Sequence, residues 1–275
     1  MGEHGPLRTE ADGGVVVVTI DHPPTNLVDG ALIMGLAGLL DDVEPDESVK
    51  VLVLRSADPD YFLMHGDVEL LVSIPAGTYQ PVVAPNAAAA LFERLATSRL
   101  VSIGLLDGAA RGGGCELLSS LDFRFASPRS VIGQPEVPMG ILPGAGGTAR
   151  WPRLVGRSTA LEILLTGRDV GASEALRLGW LHRMAPSSRM EEEAMALARR
   201  IARMPAASIA AVKRVVDASL AGMADALTAE SDALARLMAA GAHHDPMRRF
   251  LDAGGQTRDG ERLRMATIVD AMLDG

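Results

Sequence analysis

Hydrophobic positions in this chain fall into two kinds of run. Short stretches rich in β-branched residues, VVVVTID (Val15 to Asp21), VKVLVLRS (Val49 to Ser56), LVSIGLLDG (Leu100 to Gly108) and DFRFAS (Asp122 to Ser127), are bounded by Gly, Pro and Asp and predict strands. Between them the period lengthens. Residues Asp29 to Val43 carry Leu32, Leu36, Leu39 and Leu40 on one stripe, and Pro85 to Thr97 carry Ala87, Leu91 and Leu95, the one-sided pattern of helices. The alternation predicts an α/β fold. Beyond about residue 155 the strand signal nearly vanishes, WLHRMAP (Trp180 to Pro186) being the last candidate, and helical periodicity runs on to the C-terminus. There Leu227, Leu234 and Met238 share a helix face interrupted by Ser231, a face that serves either core packing or a subunit contact. SIPAGTYQPVVA (Ser73 to Ala84) reads as a Pro-rich loop, either a connector or a cover over a site. No internal repeat or low-complexity tract is found.

Composition narrows the function classes. With 275 residues and 48% hydrophobic content, the chain can bury a substantial globular core. Its 26 Lys and Arg against 35 acids give a formal charge of −9, which argues against a nucleic-acid or anionic-membrane surface. The lysines are Lys50 and Lys213, and the single cysteine, Cys115, excludes an internal disulfide and suits a reducing compartment. The first residues hold no apolar signal stretch, and no run approaches the roughly 18 apolar residues of a membrane span. A cytoplasmic protein is expected.

Candidate chemistry gathers around RGGGCE (Arg111 to Glu116). Glycine is costly within regular elements, so a run of three is present for its backbone. Two uses are open: a turn requiring positive φ, or close approach of a ligand to unpaired N–H groups at a helix start. A strand entering Gly108, a glycine turn and the helix-compatible CELLSSL would aim such donors back along the strand end. Neither a phosphate loop with its lysine nor Gly-x-Gly-x-x-Gly after a first strand is present, so the anion served can instead be an oxyanion developing during reaction. Glu116 falls in the first turn of that helix, where capping alone would explain it. Glu136 lies in a second glycine- and proline-rich block, GQPEVPMGILPGAGGTARWPRLVG (Gly133 to Gly156). Two carboxylates beside two glycine-built turns make an acid/base pair possible, since neighbouring carboxyls raise one another's pKa. The sequence HHD (His243, His244, Asp245) reads as a solvated loop rather than a metal site, and Cys115 as a small buried apolar residue.

GGGCELLSSLDFRFAS and the 133–156 block, with the upstream HPPTNLVDG and YFLMHGD, resemble the crotonase superfamily, the enoyl-CoA hydratase/isomerase group, from about Val15 to Ala185. The resemblance implies a crotonase-like spiral of repeated strand-strand-helix (ββα) units carrying the site over residues 1–195. A helical region over 196–275 would build a homotrimer or a hexamer. It implies that the amides of Gly66 and Gly113 bind a thioester carbonyl as it becomes an enolate, and that Glu116 and Glu136 act on one water. Family isomerases typically keep only the equivalent of Glu136, so the pair favours hydration of a 2-enoyl-CoA. His65, Asp67, Arg111, Gly112 and Gly144 fall at positions expected to contact substrate. The implied partner is an acyl-CoA, with no metal and no cofactor beyond the coenzyme A of the substrate. There are departures. His65 stands where family hydratases commonly have Gly, Arg111 replaces a usual aliphatic residue, and the lysines that usually meet the CoA phosphates have no counterpart, Glu69 and Ala253 standing near those places. Isomerase or thioester hydrolase activity, or a catalytically reduced binding protein, are the alternative readings.

Overall fold

The structure, a computed structural model, describes residues 4–220, 222–241, 243–263, 265, 267 and 268. In chain order its elements are β1 (Leu7–Asp12), β2 (Val15–Ile20), α1 (Gly30–Val43), β3 (Val51–Ser56), β4 (Tyr61–Leu63), α2 (Val68–Ser73), α3 (Ala87–Thr97), β5 (Val101–Leu106), β6 (Ala109–Arg111), α4 (Gly113–Ser120), β7 (Phe123–Ala126) and β8 (Val131–Gly133). Then come α5 (Gly147–Val155), α6 (Arg157–Thr166), β9 (Val170–Gly171), α7 (Ala172–Leu178), β10 (Arg183–Met184), α8 (Ser187–Ala202), α9 (Ala206–Ser219), α10 (Met223–Ala240), α11 (His244–Asp252) and α12 (Arg258–Leu263).

The first sheet runs β1-β2-β3-β5-β7-β10, antiparallel at β1/β2 and parallel thereafter, and the second runs β4-β6-β8-β9. Each of three turns places one strand in each sheet and then a helix: β3, β4, α2; β5, β6, α4; β7, β8, α5. This is the spiral of ββα units that the sequence led us to expect. β2, β3 and β5 of the first sheet read as nearly unbroken apolar runs because both faces are covered. Val16, Val18, Ile20, Leu52 and Leu54 pack toward α1, α3 and α4 with Leu36, Leu39, Phe92 and Leu118. Val15, Val17, Val51 and Val53 pack toward α8 with Met190, Ala194 and Ala198. The expected helices are present over Gly30–Val43 and Ala87–Thr97, capped by the side chains of Asp29 on Leu32 N and of Asn86 on Ala89 N. Helix α8 runs continuously through residue 195, where the two expected segments meet.

The second sheet positions the site. β4, β6 and β8 are parallel neighbours, with Leu63 beside Ala110 and Arg111 beside Gly133. Their C-terminal ends therefore deliver the segments beginning at Met64, Gly112 and Gln134 to one place, where open parallel sheets bind ligands.

Candidate active site

Each glycine of the run has its own reason. Gly112 caps α4 with φ 52° and ψ −127°, a conformation that side chains disfavour, and its N–H donates to Gly133 O at 3.0 Å. Gly114 lets α4 lie on the end of β4: its N–H donates to Met64 O at 2.8 Å, and a Cβ there would stand 1.9 Å from Leu63 O. Gly113 between them is thereby held at the helix start with Gly66 across the gap, and both line one cavity. Val28 N–H donates to His65 O, fixing the peptide before Gly66. Among the described residues no hydrogen-bond partner is found for the N–H of Gly66 or Gly113. Two unengaged amides on residues that line one cavity, one of them at a helix N-terminus, are chemically suited to stabilise developing negative charge.

Glu116 and Glu136 are both buried and face that cavity. Glu116 accepts from Ala145 N (2.7 Å) and Gly147 N (2.8 Å), so its capping role is real but reaches a second helix, α5. Burial pushes its carboxyl up to about 7, against those two donors and the nearby Arg150 cation. Glu136 lies well above the ordinary carboxylate range because it is buried and because Glu116 repels its charge. In the orientation its neighbours require, the Gln134 amide bridges it to the core, with nitrogen 3.1 Å from both Glu136 oxygens and oxygen 3.2 Å from Trp151 Nε1. A third buried glutamate, Glu230 of α10, accepts from Gly146 N (2.6 Å) and Ala149 N (2.9 Å), and burial with the Glu116 charge raises it to about 8.

The cavity measures about 460 Å³, and beyond its two glutamates and the polar His65, Asn86 and Ser231 it is walled mostly by apolar side chains, among them Val68, Leu71, Met139 and Ile141. The Pro-rich loop is a cover: Ile74 and Val82 line the cavity, and Asp232 of α10 accepts from Val82 N (2.9 Å) and Tyr79 OH. Leu234 and Met238 line the same cavity and Leu227 is fully buried, so the α10 face expected to serve core or contact packs within its own chain. Exposed apolar surface lies instead on α9, where Val212 and Val215 are 65% and 71% exposed.

The predicted residues divide. Gly66, Gly113, Glu116, Glu136, His65 and Gly144 line the cavity; Asp67, Arg111 and Gly112 are not among its lining residues. Asp67 caps α2, and Arg111 is buried in an ion pair with Asp169 (2.6 Å). Gly144 packs against Leu234, which a Cβ there would meet at 2.3 Å. His243 and His244 depart from the solvated loop expected of them, the first being fully buried and the second bonding Ile74 O through Nε2 (2.7 Å). Among the described residues no cluster of His, Cys, Asp and Glu could hold a metal. Cys115 is buried, and burial pushes its thiol well up. Sequence reasoning passed over Glu230, although a glutamate three residues after Leu227 and four before Leu234 is a charge within an apolar face. Glu261, which holds His65, gave no local signal.

A family model described as enoyl-CoA hydratase/isomerase matches residues 10–256. The chain is 29% identical over 230 residues, 83% of its own length and 76% of the relative's, to an Arabidopsis thaliana protein named probable enoyl-CoA hydratase 2, mitochondrial. It is similar to a solved structure of a candidate enoyl-CoA hydratase from Streptomyces avermitilis, with 33% identity, TM-score 0.87, and 98% and 99% of the two chains covered. An enoyl-CoA hydratase from Bacillus halodurans, at 22% identity and TM-score 0.80 over 88% and 99% of the chains, shares the fold.

Proposed function

The chain belongs to the enoyl-CoA hydratase/isomerase family, and within it we propose that this protein hydrates a 2-enoyl-CoA to a 3-hydroxyacyl-CoA. The observation that carries this reading is the pair of buried glutamates in one cavity with two unengaged glycine amides. Their environments push them apart, which assigns the roles. Glu116, held by two amide donors, is the more readily ionised and serves as base; Glu136, repelled by it, keeps its proton and serves as acid.

In the proposed reaction Glu116 takes a proton from a water as its oxygen bonds to the β-carbon. The electron pair of the double bond moves onto the thioester oxygen, which the N–H groups of Gly66 and Gly113 stabilise. The enolate collapses as its α-carbon takes the proton of Glu136. Proton return from Glu116 to Glu136 restores the start. Isomerisation would ask work of one carboxylate only and would leave Glu116 the structural role of seating the start of α5. The mostly apolar walls favour a hydrocarbon acyl group over a charged one.

We propose a homotrimer or hexamer as the assembly, now on the ground of α9, which buries none of its residues. The reaction asks for no metal and no cofactor beyond the coenzyme A of its substrate. Loss of absorbance of the conjugated thioester over a panel of 2-enoyl-CoAs tests the activity. Turnover of at least one, undiminished by a chelator, is expected; turnover of none overturns the reading.

A further inference from the structure

His65 is buried, and both its ring nitrogens meet acceptors. Nδ1 is 2.9 Å from Gly66 O and Nε2 is 2.8 Å from Glu261 Oε1. A backbone carbonyl only accepts, so Nδ1 carries a proton. Glu261 Oε1 also accepts the N–H of Gln256 at 2.7 Å, and an ionised Glu261 leaves Nε2 as the donor. That arrangement suits an imidazolium. Burial opposes that charge, but the Glu261 carboxylate outweighs it and holds His65 above the ordinary histidine range, while Arg111 acts against it. Glu261 is correspondingly lowered in spite of its burial.

The same glutamate reaches the second glycine loop. Arg111, two residues before Gly113, donates from Nη1 to the backbone carbonyl of Glu261 at 2.8 Å and stands 3.9 Å from its Oε2. The remaining neighbours of the ring are the Phe250 edge, 5.4 Å away, Asp169 behind Arg111, and Glu136 across Gly112.

We propose that Glu261 is a positioning residue of the oxyanion hole, its carboxylate holding His65 as a cation against Gly66 and its backbone carbonyl holding Arg111 ahead of Gly113. Both peptide units around Gly66 are then fixed, one by Val28 N–H on His65 O and the other by His65 Nδ1 on Gly66 O, which leaves the Gly66 amide one direction. The imidazolium also adds positive potential one residue from the donor, where charge develops in the transition state. Neither effect requires Glu261 to touch substrate. A segment nearly 200 residues downstream in the chain thus sets both halves of the oxyanion hole.

This inference rests on reading Gly66 and Gly113 as oxyanion donors, and its test separates the two. Nitrogen-15 spectra of the ring should show His65 doubly protonated at pH 7.5, and Glu261→Gln should bring its deprotonation to lower pH. In hydration of 2-enoyl-CoA, Glu261→Gln should lower kcat by about 10–100-fold, the scale of small misplacements, with KM changed by no more than about threefold. Its activity should also fall away at lower pH on the alkaline side than that of the parent protein, which lost packing alone would not produce. His65→Gln should lose kcat and leave no such histidine-dependent limb to move. A neutral His65 at pH 7.5 in the parent protein overturns the inference, whether or not the variants fold. So does an active parent whose Glu261→Gln variant keeps its kcat and pH profile. A parent that turns over no enoyl-CoA overturns the proposed function instead, and the histidine spectra still decide the charge state.

Discussion

Glu116 and Glu230 divide the amino-terminal turn of α5 between them. Glu116 accepts from Ala145 and Gly147, and Glu230 accepts from Gly146 and Ala149. The carboxylate read as general base is therefore seated on a turn that a glutamate from α10 holds from the other side. The next two turns of α10 carry Leu234, Ala235 and Met238 into the cavity wall, so one helix supports both the turn that seats Glu116 and the apolar wall of the cavity.

Replacing Glu230 by Leu leaves two buried N–H groups unpartnered, each costing about 1–3 kcal/mol. We expect a lower Tm and a hydration rate at least roughly tenfold down through displaced Glu116, the scale of small geometric errors. Glu230→Gln, which keeps one carbonyl acceptor, should fall between. Thermal melts with steady-state rates check this, and a Leu variant equal to the parent in both would remove Glu230 from the account.

The raised carboxyls make both activity and stability depend on pH. Activity should follow a bell, falling below about pH 7 as Glu116 takes up a proton and falling again at high pH as the His65 imidazolium and Glu136 lose theirs. The stability sign is opposite to that of a salt-bridged carboxylate. Glu116 and Glu230 titrate at about 7 and about 8 in the fold against 4.5 ordinarily, so the folded chain holds protons that the unfolded chain releases. Their contribution is complete below about pH 4.5 and is lost as pH rises through 7 to 8, on the order of 3 kcal/mol for Glu116. Chemical denaturation should find the protein less stable at pH 8.5 than at pH 6, with Glu116→Gln narrowing the difference. Equal stability at both pH values would contradict the buried-carboxyl description.

Pocket size is open to the same kind of test. Ala235→Phe fills part of the apolar wall, so turnover of long 2-enoyl chains should drop at least about tenfold while a four-carbon substrate stays within about threefold of the parent. Leu234→Ala should shift preference the other way. An unchanged chain-length profile in both variants would place the acyl group elsewhere.

How much of this was legible in the sequence follows from the range of the interactions. Strand β2 and the helix at 30–43 were visible because burial on two faces, or on one stripe, writes a local pattern. β1 was not, because it buries only Leu7 and the rest of it, apart from the exposed Ala11, is polar. β4, β6 and β8 span three residues each, too few for any period to register, yet they bring the site together. The glycine run could be read as serving backbone approach, and Gly114 against Leu63 O bears that out, but the partner it approaches lies 51 residues earlier and is invisible locally. The roles foreseen for Arg111 and Asp67 as substrate contacts rested on adjacency to Gly113 and Gly66. The fold turns Arg111 toward Asp169 and Glu261, and Asp67 toward the start of α2 and Gln256.

The central claim is that Glu116 and Glu136 act together on one water, and the rate of 2-enoyl-CoA hydration by the parent, Glu116→Gln, Glu136→Gln and the double variant tests it most directly. Each single change should lower the rate by about 10²–10⁴-fold, the usual contribution of a general acid or base. The double should lie far above the product of the singles, because groups acting as a unit are not additive. Full hydration activity in Glu116→Gln, with Glu136→Gln alone inactive, would contradict the account and assign the site to single-carboxylate chemistry.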